Sequence, residues 1–207
     1  MPNLWEKYAV PRLIRFACSQ PAVMKDRSKI VPRADGAVLE LGCGGGINLQ
    51  FYDRSRVTSL TGLDPSAELL DYTRREAGER GFAMEIIDGI GEAMPFADAS
   101  FDTVLTTFTL CSVQDGAQVL SEMRRVLKPG GKILFLEHGR APDKGPEKWQ
   151  QRIEPVWKYI AGGCHLHRPV SQLFEAGGFA LADSHGHYAP KTPRWLGWME
   201  SGEARPL

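Results

Sequence analysis

Val38-Leu39-Glu40-Leu41-Gly42-Cys43-Gly44-Gly45-Gly46 joins an apolar run to an acid and a glycine-rich turn, and a helix-compatible segment, Ile47 to Tyr52, follows at once. Glycine takes positive φ and lets a ligand approach the backbone with no Cβ in the way. A helix starting there would add unpaired N–H groups and the positive end of its dipole. The chemistry favoured is the cradling of a nucleotide-like cofactor by main chain. Asp64 closes a second apolar run, Leu60-Thr61-Gly62-Leu63. A carboxylate there accepts two hydrogen bonds side by side, as from the hydroxyls of a ribose. Dinucleotide and adenosyl cofactors both satisfy that geometry. A dinucleotide fingerprint has G-x-G-x-x-G spacing; here the glycines fall at Gly42, Gly44 and Gly46, and nothing in the chain supplies a second mononucleotide half.

The elements that must position these residues follow from periodicity. Strands are expected at 37–41, 59–63, 83–87, 101–107, 132–137, 179–186 and 195–203, and helices at 46–52, 66–79, 115–127, 146–160 and 169–176. Alternating strands and helices imply an α/β fold, a mostly parallel sheet with helices on both faces. Right-handed crossovers then gather the strand C-terminal ends on one rim, where ligands bind. The chain of 207 residues reads as a single domain. Within it, residues 1–30 form an N-terminal helical segment, interrupted at Pro11, that packs on the domain or closes as a lid. Residues 139–168 form an insertion carrying Trp149, Trp157 and Tyr159, which suggests a cover over an apolar pocket.

Lysine plus arginine number 25, aspartate plus glutamate 25, and the formal net charge is +0. That balance offers no electrostatic grip on nucleic acid or an anionic membrane. The four cysteines include no CxxC pair and read as free thiols in a reducing, cytoplasmic setting. No apolar run approaches the length of a transmembrane helix.

Four motifs occur in order: Glu40-x-Gly42-x-Gly44-x-Gly46, Asp64-Pro65-Ser66, Met94-Pro95-Phe96-Ala97-Asp98-Ala99-Ser100-Phe101-Asp102, and Arg125-Val126-Leu127-Lys128-Pro129-Gly130-Gly131. The series resembles the class I methyltransferases that use S-adenosylmethionine, most strongly over residues 36–138. The resemblance implies a Rossmann-like, seven-stranded doubly wound sheet in order 3-2-1-4-5-7-6 with the last strand antiparallel. It also implies S-adenosylmethionine as cofactor. Gly42, Cys43, Gly44 and Gly46 would line its methionine and ribose side, with Glu40 orienting the loop or taking the ammonium. Asp64 would hold the ribose, and Pro65 and its neighbours the adenine. Many relatives place an acid four residues before the Met94-Pro95-Phe96 triplet, but this chain has Ile90 there. The adenine contact is therefore expected from Gly91, Glu92 or Asp88. Thr107, closing the fourth strand, would sit beneath the methyl donor.

A second resemblance is narrower. Thr107-Phe108-Thr109-Leu110-Cys111-Ser112-Val113, Leu136-Glu137-His138, the stretch from Trp149 to Trp157, and Gly162-Gly163-Cys164-His165-Leu166 are similar to the small alkyl-thiol methyltransferases. That family is in turn similar to quinone-biosynthesis and phospholipid methyltransferases. The acceptor implied is a small apolar thiol or hydrogen sulfide. A phospholipid, quinone or other apolar small molecule is the alternative, and an adenosyl-cofactor-binding module the non-enzymatic one. The animal members' N-terminal membrane-associating segment has no counterpart in this sequence, so a soluble form is implied, with peripheral membrane contact open. A thiol must lose a proton before attack. His138, closing the fifth strand, is the candidate base, and Cys111 faces the same rim. Tyr8, Trp149, Trp157 and His165 are candidate pocket residues. Cys164-His165-Leu166-His167 does not put two histidines on one helix face and lacks a fourth ligand, so no metal is expected.

Overall fold

A computed structural model describes residues 9–207. Tyr8, together with Leu4 and Trp5 of the expected first helix, lies outside the described residues. The strands are β1 (Gly36–Leu41), β2 (Val57–Asp64), β3 (Glu85–Asp88), β4 (Phe101–Thr107), β5 (Leu127–His138), β6 (Phe179–Tyr188) and β7 (Trp198–Pro206). They form one sheet in the order β3-β2-β1-β4-β5-β7-β6. β7 runs antiparallel to both its neighbours, whereas the pairs from β3 through β5 are parallel. This is the sheet implied by the resemblance.

Helices α1 (Val10–Cys18), α2 (Pro21–Ile30), α3 (Ala67–Glu79), α4 (Gly116–Val126), α5 (Lys144–Ile160) and α6 (Val170–Ala176) flank the sheet. Their starts are written in the sequence. Ser66 caps α3 by accepting from the Leu69 amide, and Asp115 caps α4 by accepting from the Gln118 amide. Pro11 and Pro21 sit in the first turns of α1 and α2. The N-terminal segment breaks at Ser19-Gln20, and Pro11 stands at the start of α1. The helix expected at 46–52 is a single 3-10 turn, Ile47–Gln50. Asn48 and Tyr52 are drawn inward by hydrogen bonds to a buried acid, which stops the segment from continuing as an α-helix.

Strand alternation sorts the interior into two cores. Leu39, Leu41, Val104, Ile133 and Phe135 face α4 and α6, meeting Val119, Leu120, Met123 and Phe174. Val38, Leu60, Leu105, Leu134 and Leu136 face the other way, onto Ile30, Val31, Leu49 and Ala77. The same period of two directs Glu40 and Thr107 to the second face, and Thr106 and Glu137 to the first. At the far edge, Arg33 ties the end of α2 to β6 and β7 through Asp183 at 3.0 Å and Glu203 at 2.9 Å.

The β6–β7 ribbon has a register shift between Leu181 and Asp183, opposite Ala204 and Glu203 and next to Gly202. A Cβ at Gly202 would lie 1.9 Å from the Asp183 carbonyl oxygen, with backbone on that side. Gly202→Ala is expected to destabilise the chain by about 2–3 kcal/mol, because backbone has to move. Gly145→Ala, in the first turn of α5 with nothing near the new methyl, is expected to be neutral or to add about 0.5–1 kcal/mol. Urea denaturation of the two variants checks both; equal midpoints would contradict the packing described at Gly202.

Candidate cofactor and acceptor site

The rim holds a cavity of about 560 Å³. Its floor is the glycine turn. Gly42 takes φ +69°, and a Cβ there would fall 2.0 Å from Thr109 Oγ1, so the close approach of the β4 loop requires glycine. The Leu63 carbonyl accepts from the amides of Gly42, at 2.7 Å, and Cys43, at 3.3 Å, which ties the turn to β2. Asp64 accepts from the Gly44 amide and the Ser66 amide, both at 2.9 Å. Burial raises the Asp64 carboxyl, and those two amides oppose the shift. Each oxygen takes one backbone donor, so lone pairs remain for hydroxyls of a ligand.

Below the turn lies a buried polar network on the second face. Glu40 accepts from Asn48 Nδ2 and the Tyr52 hydroxyl, both at 2.8 Å. Burial pushes its carboxyl up to about 7, against these two hydrogen bonds and the nearby Arg27 charge. The Arg27 guanidinium donates to Asn48 Oδ1 at 2.6 Å and to Thr107 Oγ1 at 2.7 Å, while its Nε has no hydrogen-bond partner. Arg27 also lies over the Phe108 ring, 5.2 Å from the centroid, and Phe108 holds the left-handed φ of +57°. Arg27 lines the cavity, and its Nε is a buried donor without a partner among the described residues, which calls for an explanation.

On the opposite face, Glu137 fixes the loop after β4. It accepts from Thr106 Oγ1 at 2.7 Å, the Thr109 amide at 3.1 Å and the Cys111 amide at 3.3 Å. Burial lifts its carboxyl to about 7 as well. Arg168 clasps the same loop from outside by donating to the Leu110 carbonyl. Glu92 accepts from the Gln114 amide at 2.9 Å and the Asp115 amide at 3.3 Å, which holds the next stretch of the rim.

Among the sequence-predicted residues, Glu40, Gly42, Cys43, Gly44, Asp64, Pro65, Gly91, Glu92 and Thr107 line this one cavity. Gly46 does not. It turns toward α3, where a Cβ would lie 3.2 Å from Thr73 Cα. Asp88 is exposed, paired in register with Asp64 but outside the cavity lining. His138 and Cys111 are buried behind the wall: His138 Nδ1 faces Cys164 Sγ at 3.9 Å, and neither residue lines the cavity. The aromatic cover is also displaced. Trp149 is 54% exposed, Trp157 packs edge-on against Trp195, and His165 Nδ1 engages Glu154 at 3.1 Å. Buried Gln150 bonds the Gly139 carbonyl and the Ala141 amide, which docks α5 on the segment that follows β5. Only Gly162 of that insertion reaches the cavity.

The wall facing the glycine turn comes from α1, through Val10, Pro11, Ile14, Arg15 and Cys18. Arg15 lies over Gly45, pairs with Glu76 at 3.4 Å and stacks on Tyr72. Sequence reasoning missed Arg27, Arg15 and Cys18. Asn48 and Tyr52 were discoverable as polar groups at i+8 and i+12 from a buried strand acid. Arg27 had no such signal, since Met24-Lys25-Asp26-Arg27-Ser28-Lys29 reads as a solvated surface.

The cavity's parts fit an adenosyl cofactor: a main-chain cradle that side chains would fill, a carboxylate with free lone pairs above it, and apolar Leu63, Pro65 and Leu69 beside it. Comparisons agree. A methyltransferase domain family model matches residues 39–135. The thiol S-methyltransferase TMT1B of Homo sapiens is 42% identical over 165 residues, 77% of this chain and 66% of that protein. Its Rattus norvegicus counterpart is 39% identical over 77% of this chain and 65% of that protein. The chain thus spans slightly under two thirds of the length of these curated relatives. A demethylmenaquinone methyltransferase of Thermus thermophilus is 32% identical, with 70% of this chain and 68% of that protein covered. Among solved structures, a SAM-dependent methyltransferase of Aquifex aeolicus superposes with a TM-score of 0.66 at 15% identity, covering 95% of this chain and 98% of that one. The [4+2]-cyclase SpnF shares the fold at a TM-score of 0.68 and 18% identity, over 89% of this chain and 80% of its own, so the fold by itself does not name the reaction. By glycine cradle, sheet order and sequence relatives, the chain belongs to the S-adenosylmethionine-dependent methyltransferases, and S-adenosylmethionine is its cofactor.

Proposed function

We propose that this chain methylates a small apolar thiol or hydrogen sulfide. The observation that carries the proposal is the make-up of the wall opposite the glycine turn. Val10, Pro11 and Ile14 of α1 stand there, with Phe108, Ser112 and Val113 of the β4 loop. An apolar lining with few polar groups suits a small, weakly hydrated acceptor, and the similarity to thiol S-methyltransferases supports the same class.

When bound, S-adenosylmethionine supplies an electrophilic methyl group for direct displacement. The chain's contribution is positioning and exclusion of water. Asp64 and the Gly44 region would hold the ribose, and Gly91, Ile90 and Glu92 the adenine end. Glu40 would balance the cofactor's positive charge from below. The acceptor side lacks an imidazole among its lining residues. In this assignment the Arg27 guanidinium, not a side-chain base, favours the thiolate form of the acceptor. Helix α1 serves as the lid, with Arg15 strapping it across the glycine turn to Glu76.

A second acceptor class, a phospholipid, quinone or other apolar molecule taken from a membrane surface, draws on a different observation. Helices α1 and α5 expose apolar side chains, Phe16 at 69%, Tyr159 at 63% and Val156 at 62%. No helix among the described residues is long and apolar enough to cross a membrane. Peripheral contact is the form such access would take.

The acceptor is tested by release of S-adenosylhomocysteine with hydrogen sulfide and short alkyl thiols, against oxygen and amine acceptors and against phospholipid vesicles. Release with thiols alone is expected; silence with thiols and release with vesicles would favour the second class. For the cofactor, Asp64→Ala is expected to weaken S-adenosylhomocysteine binding by about 1.5–3 kcal/mol in calorimetry, the worth of hydrogen bonds to a charged group. Unchanged affinity would remove Asp64 from the ribose. A cationic ligand favours the ionised form of a neighbouring carboxyl. With the Glu40 carboxyl lifted to about 7, affinity should therefore rise as pH is raised from about 6 to about 8, with proton release on binding. Glu40→Gln is expected to flatten that profile; a wild-type affinity that falls over the same range would contradict the role given to Glu40.

A further inference from the structure

Behind the acceptor wall lies a cluster of thiols that methyl transfer does not use. Cys111, in the loop after β4, is 2% exposed. Cys164, in the turn after α5, is half-buried. The His165 amide donates to the Cys111 carbonyl at 2.7 Å, which brings the backbones of Cys111 and Cys164 side by side. A disulfide needs Cα atoms about 4.4–6.8 Å apart, so the two cysteines must lie on backbones joined as closely as these. Around the Cys164 sulfur stand the Cys111 thiol, His138 Nδ1 at 3.9 Å and the Trp157 indole. Trp157 Nε1 and His138 Nε2 are buried with no hydrogen-bond partner among the described residues. The thiol proton of Cys111 and these rings hold Cys164 well below an ordinary thiol, while the same contact and burial push Cys111 up.

We propose that Cys111 and Cys164 form a dithiol redox site that is oxidised to an intramolecular disulfide by small-molecule disulfides. Cys164, the less buried of the two, is the attacking sulfur; Cys111, more deeply buried, is the resolving one. In the first step the Cys164 thiolate attacks one sulfur of RSSR, the S–S bond breaks, and RS⁻ leaves, which gives a Cys164 mixed disulfide. In the second step the Cys111 sulfur attacks Cys164 Sγ, the mixed disulfide breaks, and the second thiol leaves as RSH with the Cys111 proton. The protein is oxidised by two electrons, and RSSR is reduced to two thiols. His138, Trp157 and the short contact between the two loops thereby acquire a role that the cofactor cavity does not give them. The cross-link would tie the β4 loop, whose Ser112 and Val113 line the acceptor wall, to the turn on which α1 rests. A Cβ on Gly162 in that turn would lie 2.9 Å from Val10 Cγ1. The site stands independently of the acceptor proposed above.

The test is incubation of the reduced, full-length chain with hydroxyethyl disulfide, followed by intact mass and peptide mapping. The expected result is loss of two hydrogens with Cys111 and Cys164 cross-linked and no adduct retained. Cys111→Ser is expected to trap the mixed disulfide on Cys164. Cys164→Ser should yield neither product, and Cys43→Ser should still form the Cys111–Cys164 cross-link. Cys18 also lies near Cys164 and serves as the internal competitor. A cross-link to Cys18, a stable mixed disulfide on the wild-type chain, or no reaction would each overturn the proposal. Retained binding of S-adenosylhomocysteine by both serine variants establishes that they are folded.

Discussion

Burying a carboxylate costs several kcal/mol unless polar groups replace the lost water, and this sheet buries Glu40 and Glu137 almost completely at its rim. Glu40 and Glu137 close neighbouring parts of the interior on opposite faces, and each has organised the loop beside it. Glu40 collects Asn48 and Tyr52, which bends the segment after the glycine turn into one tight 3-10 turn. Asn48 and Thr107 in turn anchor Arg27, so that α2 is drawn under the cavity. Glu137 collects the amides of Thr109 and Cys111 with the Thr106 hydroxyl, which fixes the β4 loop against Gly42. The cradle is thus the space left between two loops, each held by an acid that needs it.

This dependence explains why the glycines matter unequally. Gly42 is demanded by Thr109, which the Glu137 network pushes toward it. Gly44 is free of side-chain neighbours, and its amide is committed to Asp64. Gly46 serves the packing of α3 and not the ligand. A motif written as three equivalent glycines therefore contains a close approach, a hydrogen-bond donor and a helix contact.

Much of the frame was legible in the sequence because strands and cores are set by short periodicities. Leu39 and Leu41 alternate with Val38 and Glu40, and the two sets part to opposite faces as expected. Asp64, closing an apolar run, was expected beside the glycine turn and lines the cavity there. What periodicity does not encode is the choice of partner for a buried polar group. Ile47 to Tyr52 has helical character, yet hydrogen bonds to Glu40 outweigh it. Trp149 and Trp157 have the composition of a pocket cover, yet Gln150, an unremarkable polar residue in sequence, docks α5 elsewhere by two backbone hydrogen bonds. His138 was placed on the correct strand end, but alternation and the neighbouring turn aim it at Cys164 and not at the cavity.

The central claim is that the space between these two acid-held loops seats the adenosyl cofactor with its methyl end toward the wall made by α1 and the β4 loop. The most direct measurement is a crystal structure of the chain with S-adenosylhomocysteine. The account predicts ribose hydroxyls on Asp64, the adenine between Pro65 and the Ile90-Gly91-Glu92 edge, and the sulfur facing Ile14 and Val113. Density for the ligand with its adenine against α1, or at a site away from the glycine turn, would contradict it.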